Sequence, residues 1–214
     1  MAKDFICFDF ETLGQIPHKC TVVSFGIIAG NWSDVDITDD DSIKNTIKTL
    51  KSNGMELFFK YAKEDQPDRV SDPRTAKWWS EQDPKTISYV FGSNPRITLD
   101  EFYPKLKEFC SEQYVNKDTT VIIRAPHFDQ SILESILDTR GIANMAYSHW
   151  KIRDSRTIVD ILAESSRGHL VGFESYMQTK FGLKKHSALD DTVIDILEIA
   201  FCKAGAKEND FRTT

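Results

Sequence analysis

Apolar and polar residues alternate along residues 4–10, with Ile6, Phe8 and Phe10 on one face and Cys7 and Asp9 on the other, the period of a β-strand. Gly14 and Pro17 break that run, and a second apolar run rich in β-branched residues follows from Thr21 to Ala29. The polar stretch 30–54 reads as an insertion holding a short helix near Ile43–Leu50, and Glu56 to Tyr61 reads as a third strand. Three consecutive strands predict an antiparallel meander. Helical periods then take over. Short helices are expected over Pro73–Glu81 and Pro84–Tyr89, and Leu99–Cys110 is amphipathic, with Phe102, Leu106 and Phe109 on one side. Thr119 to Ala125 predicts a strand that runs straight into a helix through Leu133 and Leu137. A short strand at His149–Ile152 precedes a helix containing Ile158, Ile161 and Leu162. A last helix over residues 187–203 carries Leu189, Val193, Ile196 and Ala200 as its buried stripe. A meander followed by alternating strands and helices predicts one mixed α/β domain over residues 1–214.

Composition narrows the class. The chain has 214 residues, 40% hydrophobic and 28% charged, which fits a globular domain and excludes disordered, collagen-like and coiled-coil chains. No stretch approaches the ~20 apolar residues that cross a bilayer. The first residues lead directly into Phe5-Ile6-Cys7-Phe8-Asp9 without a signal-peptide pattern, so a cytoplasmic protein with no membrane partner is expected. Cys7, Cys20, Cys110 and Cys202 form no C-x-x-C pair and read as buried small hydrophobes. His18, His127, His149, His169 and His186 show no zinc-ligand pairing either. The formal net charge of -6 argues against a nucleic-acid partner only if it is spread evenly. It is not, because Asp34, Asp36, Asp39, Asp40 and Asp41 crowd one short stretch. That run lacks the glycine and terminal glutamate of a calcium loop, having Asp39 and Asn45 there, and reads as a solvated loop.

Three sets of carboxylates carry candidate chemistry. Asp9 and Glu11 are two apart in a strand, so both project to one face while Phe8 and Phe10 enter the other. Paired carboxylates repel one another and favour a hard divalent cation, although an ordinary solvated strand end has the same pattern. Asp129 follows the strand ending near Ala125, at the kind of strand-to-helix junction where α/β sheets place ligands. It would serve equally as a first-turn acid complementing the helix dipole. His186 stands just before the last helix, and Asp190 and Asp191 lie in its first turn. An imidazole with an ordinary pKa near 6.5 suits proton removal from water. Helical periodicity does not choose between the two acids.

In this order and spacing, Asp9-x-Glu11, Asp129 and His186-x-Ala188-x-x-Asp191 resemble the motifs of the DEDD exonuclease superfamily, in its histidine-containing DEDDh branch. The resemblance runs over residues 4–203, nearly the whole chain. Ser187 stands four before Asp191, where the sister branch has a tyrosine. Asp9-Phe10-Glu11-Thr12-Leu13-Gly14, Trp78-Trp79, Phe128-Asp129 with Ile132-Leu133, and Arg153-Asp154-Ser155-Arg156-Thr157 are similar to the exonuclease A family of T-even phages and its bacterial exoribonuclease relatives.

The resemblance implies a ribonuclease H-like fold: a mixed sheet of three antiparallel strands followed by parallel ones, flanked by helices. It implies 3′–5′ exonuclease activity with two divalent cations, Mg²⁺ or Mn²⁺, held by Asp9, Glu11, Asp129 and Asp191, and His186 as general base. It places Asp191, rather than Asp190, among the ligands by its spacing from His186. The partner implied is the 3′ end of a single-stranded nucleic acid, DNA slightly ahead of RNA. Thr12 and Leu13 would lie beside the terminal sugar and base, Leu13 as a wedge, and Phe128, Trp78 and Trp79 offer stacking surfaces. The adjacent tryptophans are as readily explained by one in the core and one half exposed. Arg156, with Arg153, Lys184 and Lys185, would meet phosphates. Many members of the branch dimerise, which leaves a homodimer open. Two other readings compete: a catalytically silent nucleic-acid or protein-binding module on the same fold, and a small-molecule phosphohydrolase. The latter lacks a phosphate-binding glycine-rich loop and an Asp-x-Asp nucleophile pattern.

Overall fold

The computed structural model describes residues 2–142 and 147–212. Six strands form one sheet in the order β4-β3-β2-β1-β5-β6: β1 (Phe5–Thr12), β2 (Val22–Gly30), β3 (Gly54–Phe59), β4 (Arg96–Ile97), β5 (Thr120–Ile123) and β6 (Ile152–Asp154). Strands β1, β2 and β3 are antiparallel neighbours, whereas β5 lies parallel to β1, β6 to β5 and β4 to β3. This is the expected mixed sheet, with an added parallel edge strand. No helix among the described residues is long and apolar enough to cross a membrane.

The alternation in β1 divides the molecule into two layers. Ile6, Phe8 and Phe10 enter a core with Phe25, Phe102 and Leu133, beneath α4 (Leu99–Glu112) and α5 (Pro126–Asp138). Phe5 and Cys7 enter the opposite core with Leu50, Val159, Phe173, Val193 and Leu197. That side is covered by α1 (Asp40–Ser52), α6 (Ser155–Ala163), α7 (Phe173–Phe181) and α8 (Ala188–Lys203). Two short helices, α2 (Pro73–Ser80) and α3 (Pro84–Phe91), start at Asp72 and Asp83, whose carboxylates cap them, and each has proline in its first turn. They close a small third cluster of Leu13, Val23, Trp79 and Val90.

Several elements differ from the sequence expectation. The segment 30–54 carries a 13-residue helix, longer than Ile43–Leu50, and Ile43, Ile47 and Leu50 anchor it in the second core. The strand expected to reach Ala125 stops at Ile123, because Ala125 takes a left-handed conformation (φ 54°) that turns the chain into α5. Residues 149–151 form a 3₁₀ turn, and the strand expected there begins only at Ile152. Helix α6 buries Ser155, Val159 and Ala163 and leaves Ile161 exposed. Strand β4 and helix α7 have no counterpart in the sequence reading. A two-residue strand carries no period, but α7 has one: Phe173, Tyr176, Met177 and Phe181 recur at i, i+3, i+4 and i+8 between two glycines.

Helix α8 is the largest departure. Rather than one buried stripe, it buries residues on all sides, including Asp190, Asp195 and Glu198, while Leu189 and Ala200 are only half-buried. It lies directly on β2. A Cβ added at Gly26 would sit 2.2 Å from the carbonyl carbon of Ala188, so only glycine admits this approach. In the sheet register Gly26 is opposite Asp9. The start of α8 is thereby pressed against the strand face from which Asp9 and Glu11 project.

Candidate active site

Asp9 and Glu11 stand on the β1 face that also carries Phe5 and Cys7, near the end of the strand, where both are half-buried. The β1–β5 pairing stops at Cys7. Beyond it the backbone N–H of Phe10 donates to Oδ1 of Asp129 (3.0 Å), which fixes the first turn of α5 against β1. The left-handed Ala125 makes that turn, and Asp154 accepts its N–H (3.1 Å). Asp129 is buried, and Phe128 beside it is half-buried on the same cavity.

The third contribution comes from the entry to α8. Ser187 caps the helix by accepting the N–H of Asp190 (3.3 Å). The two adjacent acids then separate. Asp190 turns away and binds Lys51 through its carboxylate, which also accepts the N–H of Lys184 (2.8 Å). Asp191 turns towards β1. Ligand atoms of Glu11, His186 and Asp191 lie within 4.8 Å of one another. His186 itself has a left-handed backbone (φ 56°), and its Nδ1 is 3.9 Å from Oε1 of Glu11. Its Nε2 is buried without a hydrogen-bond partner.

Asp9, Glu11, Asp129, His186 and Asp191 thus line one cavity of about 520 Å³, although they come from β1, α5 and the entry to α8. Burial and mutual repulsion act together on the acids. Desolvation followed by the charge of Asp195 raises Asp9 to about 7. Burial, then neighbouring carboxylates, pushes Glu11, Asp129 and Asp191 well above the usual range. Burial, with Lys185 nearby, pushes His186 below its ordinary value, so the imidazole is neutral near pH 7. A concave set of hard oxygen donors whose charges are not balanced within the protein is the donor chemistry that divalent cations such as Mg²⁺ or Mn²⁺ require. The residues present therefore fit such ions.

Residues 4–200 match the family model described as the Rv2179c-like 3′-5′ exoribonuclease domain. The chain belongs to that family. The expected 3′–5′ exonuclease kinship holds in that family, and the fold agrees with it. The zinc-bound form of E. coli ExoI in complex with single-stranded DNA is 14% identical, with a TM-score of 0.56 over 95% of this chain and 40% of that one. Exonuclease I from Methylocaldum szegediense is 15% identical, with a TM-score of 0.51 over 92% of this chain and 39% of that one. The nuclease domain of 3′hExo, a DEDDh family member bound to rAMP, is 11% identical, with a TM-score of 0.52 over 96% of this chain and 94% of that one. This chain therefore spans about two fifths of the exonuclease I chains and nearly all of the 3′hExo domain. No curated protein matches it in sequence.

In this exoribonuclease-domain chain the expected substrate contacts divide. Phe128 and the exposed Arg156 line the cavity. Trp79 does not offer a stacking face: it is buried, and its indole N–H donates to the carbonyl of Thr12 (2.9 Å). That corrects the expectation for Trp79, whose ring packs instead on Phe91 and on His186. Trp78 is 42% exposed and stands edge-on to His186 at 4.9 Å. Thr12 and Leu13 are buried beside the site rather than in its lining, Thr12 donating to the Gly14 carbonyl (2.8 Å) and Leu13 packing with Trp79. Leu13 is only 9% exposed, which leaves little of its side chain free to meet a base.

Sequence reasoning missed a buried ionic group on the same cavity. Arg124 donates to Asp195 (2.6 Å) and Glu198 (2.9 Å) and is held strongly protonated, chiefly by Asp195. Ser155 donates to Asp195 (3.1 Å) and the N–H of Leu170 to Glu198 (2.6 Å). A signal existed. Asp191, Asp195 and Glu198 fall at i, i+4 and i+7, one face of a helix, which an apolar stripe alone does not reveal.

Proposed function

We propose that this protein is a metal-dependent 3′–5′ exonuclease that releases nucleoside 5′-monophosphates from single-stranded nucleic acid. The observation that carries the reading is the meeting of Asp9, Glu11, Asp129, Asp191 and His186 in one cavity from distant parts of the chain. RNA is the favoured substrate, ahead of the DNA to which the sequence leaned. The family model covering most of the chain is described as an exoribonuclease domain, whereas the likeness to DNA-bound exonuclease I is one of fold.

Asp9, Glu11, Asp129 and Asp191 would hold two divalent cations. Such ions, when bound, supply Lewis-acid stabilisation of the attacking and leaving oxygens of an in-line displacement. The remaining chemistry belongs to the chain. His186, neutral because it is buried, accepts the proton of the attacking water on the ring nitrogen facing Glu11, Nδ1 in this structure. Trp78 and Trp79 pack on its ring and restrict its orientation. Phe128, on the cavity wall, offers a face to the terminal base.

The roles separate experimentally. Asp9→Asn is expected to abolish divalent-ion-dependent hydrolysis. His186→Ala is expected to keep divalent-ion binding in calorimetry while losing about 10²–10⁴-fold in single-turnover rate. A wild-type rate in His186→Ala overturns the base assignment, and wild-type hydrolysis in Asp9→Asn overturns the metal site.

A further inference from the structure

Part of the cavity lining is built by segments that hold none of the five residues above: α6, the loop 164–172 and the start of α7. They bring Arg156, His169 and Glu174 to it. The loop is firmly held. Oγ of Ser165 donates to the His169 carbonyl (2.9 Å) and accepts its N–H (3.1 Å). The Gly168 carbonyl accepts from Arg124 (3.3 Å), and the N–H of Leu170 donates to Glu198. Gly168 has φ +65°, and a Cβ there would lie 2.6 Å from the Arg156 carbonyl oxygen. The loop therefore rests on α6 and carries His169 to the turn of that helix where Arg156 begins.

The basic groups of the cavity differ in what occupies them. Arg124 is spent on Asp195 and Glu198. Among the described residues the Arg156 guanidinium makes no ion pair or hydrogen bond, only its backbone N–H being bound, to Asp154. His169 has one side-chain hydrogen-bond contact, Nδ1 to the Arg167 carbonyl at 3.4 Å, and lies within reach of the charge of Glu208. Glu174 in the same lining accepts from Gln178 (2.8 Å).

We propose that Arg156 and His169 form a phosphate subsite that grips the phosphodiester one step 5′ of the scissile bond. The proposal rests on the nuclease reading above. The scissile phosphate belongs on the wall of Asp9, Glu11, Asp129 and Asp191, where cations bound by those acids offset their charge. The next phosphate lies beyond them in a cavity that also holds Glu174, while Arg124 is taken up by Asp195 and Glu198, so that phosphate needs donors of its own. A guanidinium fork with an imidazole beside it supplies them. The consequence is a preference for substrates of three nucleotides or more, since a dinucleotide with a 5′-hydroxyl has only the scissile phosphate.

The test compares hydrolysis of a trinucleotide and a dinucleotide, both with 5′-hydroxyl ends, by the wild type, Arg156→Ala and His169→Ala. The trinucleotide-to-dinucleotide ratio of kcat/KM is expected to fall about tenfold in each variant, the size of one charge-assisted contact, with the loss in KM. Arg156 is exposed, so its variant tests the subsite even if His169→Ala disturbs the loop. An unchanged ratio in Arg156→Ala overturns the subsite, whether or not overall rates fall. A wild type that shortens a longer single strand with Mg²⁺ or Mn²⁺ but cleaves neither of these overturns the subsite alone, and one that cleaves no strand of any length overturns the nuclease reading and the subsite with it.

Discussion

At the scale of single residues, identity and neighbourhood decide separately what an acid does. Asp190 and Asp191 are adjacent and chemically identical, yet Lys51 neutralises the first while the second faces Glu11 and His186. The sequence shows both acids and not Lys51, which approaches from α1, far away in the chain. The same limit hid Arg124, and it left Trp78 and Trp79 unresolved until burial separated them. The crowded acids have a consequence for stability. Asp9, raised to about 7, holds its proton in the folded protein where the unfolded chain has lost it, and Glu11, Asp129 and Asp191 shift in the same direction. The folded state then binds more protons between about pH 4 and 7, and stability falls as pH rises through that window. His186, shifted downwards, opposes this below its ordinary value, and the lowered Glu101, Glu164 and Glu208 oppose it only near the low edge of the window. Glu198, raised to about 7, adds to it. In chelator, the melting temperature is expected to be higher at about pH 5 than at about pH 8, with added Mg²⁺ or Mn²⁺ stabilising more at the higher pH. A melting temperature that rises steadily with pH in chelator contradicts uncompensated acids.

At the scale of elements, the strands and most helices were legible because their periods are strong. The alternation in β1 correctly assigned Ile6, Phe8 and Phe10 to one layer and Cys7 and Asp9 to the other. What periodicity could not convey is that α8 is central, packed on the sheet beneath it and flanked by α1, α6 and α7. A helix buried all round has no single stripe to read. The contact that sets its height is Gly26, opposite Asp9. Gly26→Ala must push α8 off the sheet, and the expected cost is at least about 3 kcal/mol in denaturant unfolding. The displaced start of α8 carries Asp191, so a loss of about 10²-fold in turnover is expected in the fraction that folds. Unaltered stability and turnover together contradict the account of how Asp191 is positioned.

At the scale of the molecule, a net charge of -6 conceals its own distribution. The Asp34–Asp41 run lies beside and in the first turn of α1, apart from the cavity, whose acids belong to β1, α5 and α8. Five residues spread from Asp9 to Asp191 are drawn together by a sheet whose central strand is the first in the chain and a helix that is its last. Hydrolysis of a 5′-labelled single-stranded oligoribonucleotide, with its DNA counterpart alongside, tests most directly whether that gathering makes an exonuclease. With Mg²⁺ or Mn²⁺ the wild type is expected to shorten the strand stepwise from its 3′ end, releasing nucleoside 5′-monophosphates, and to stop in chelator. Internal cleavage, cleavage that persists in chelator, or intact strands of both kinds would contradict the account.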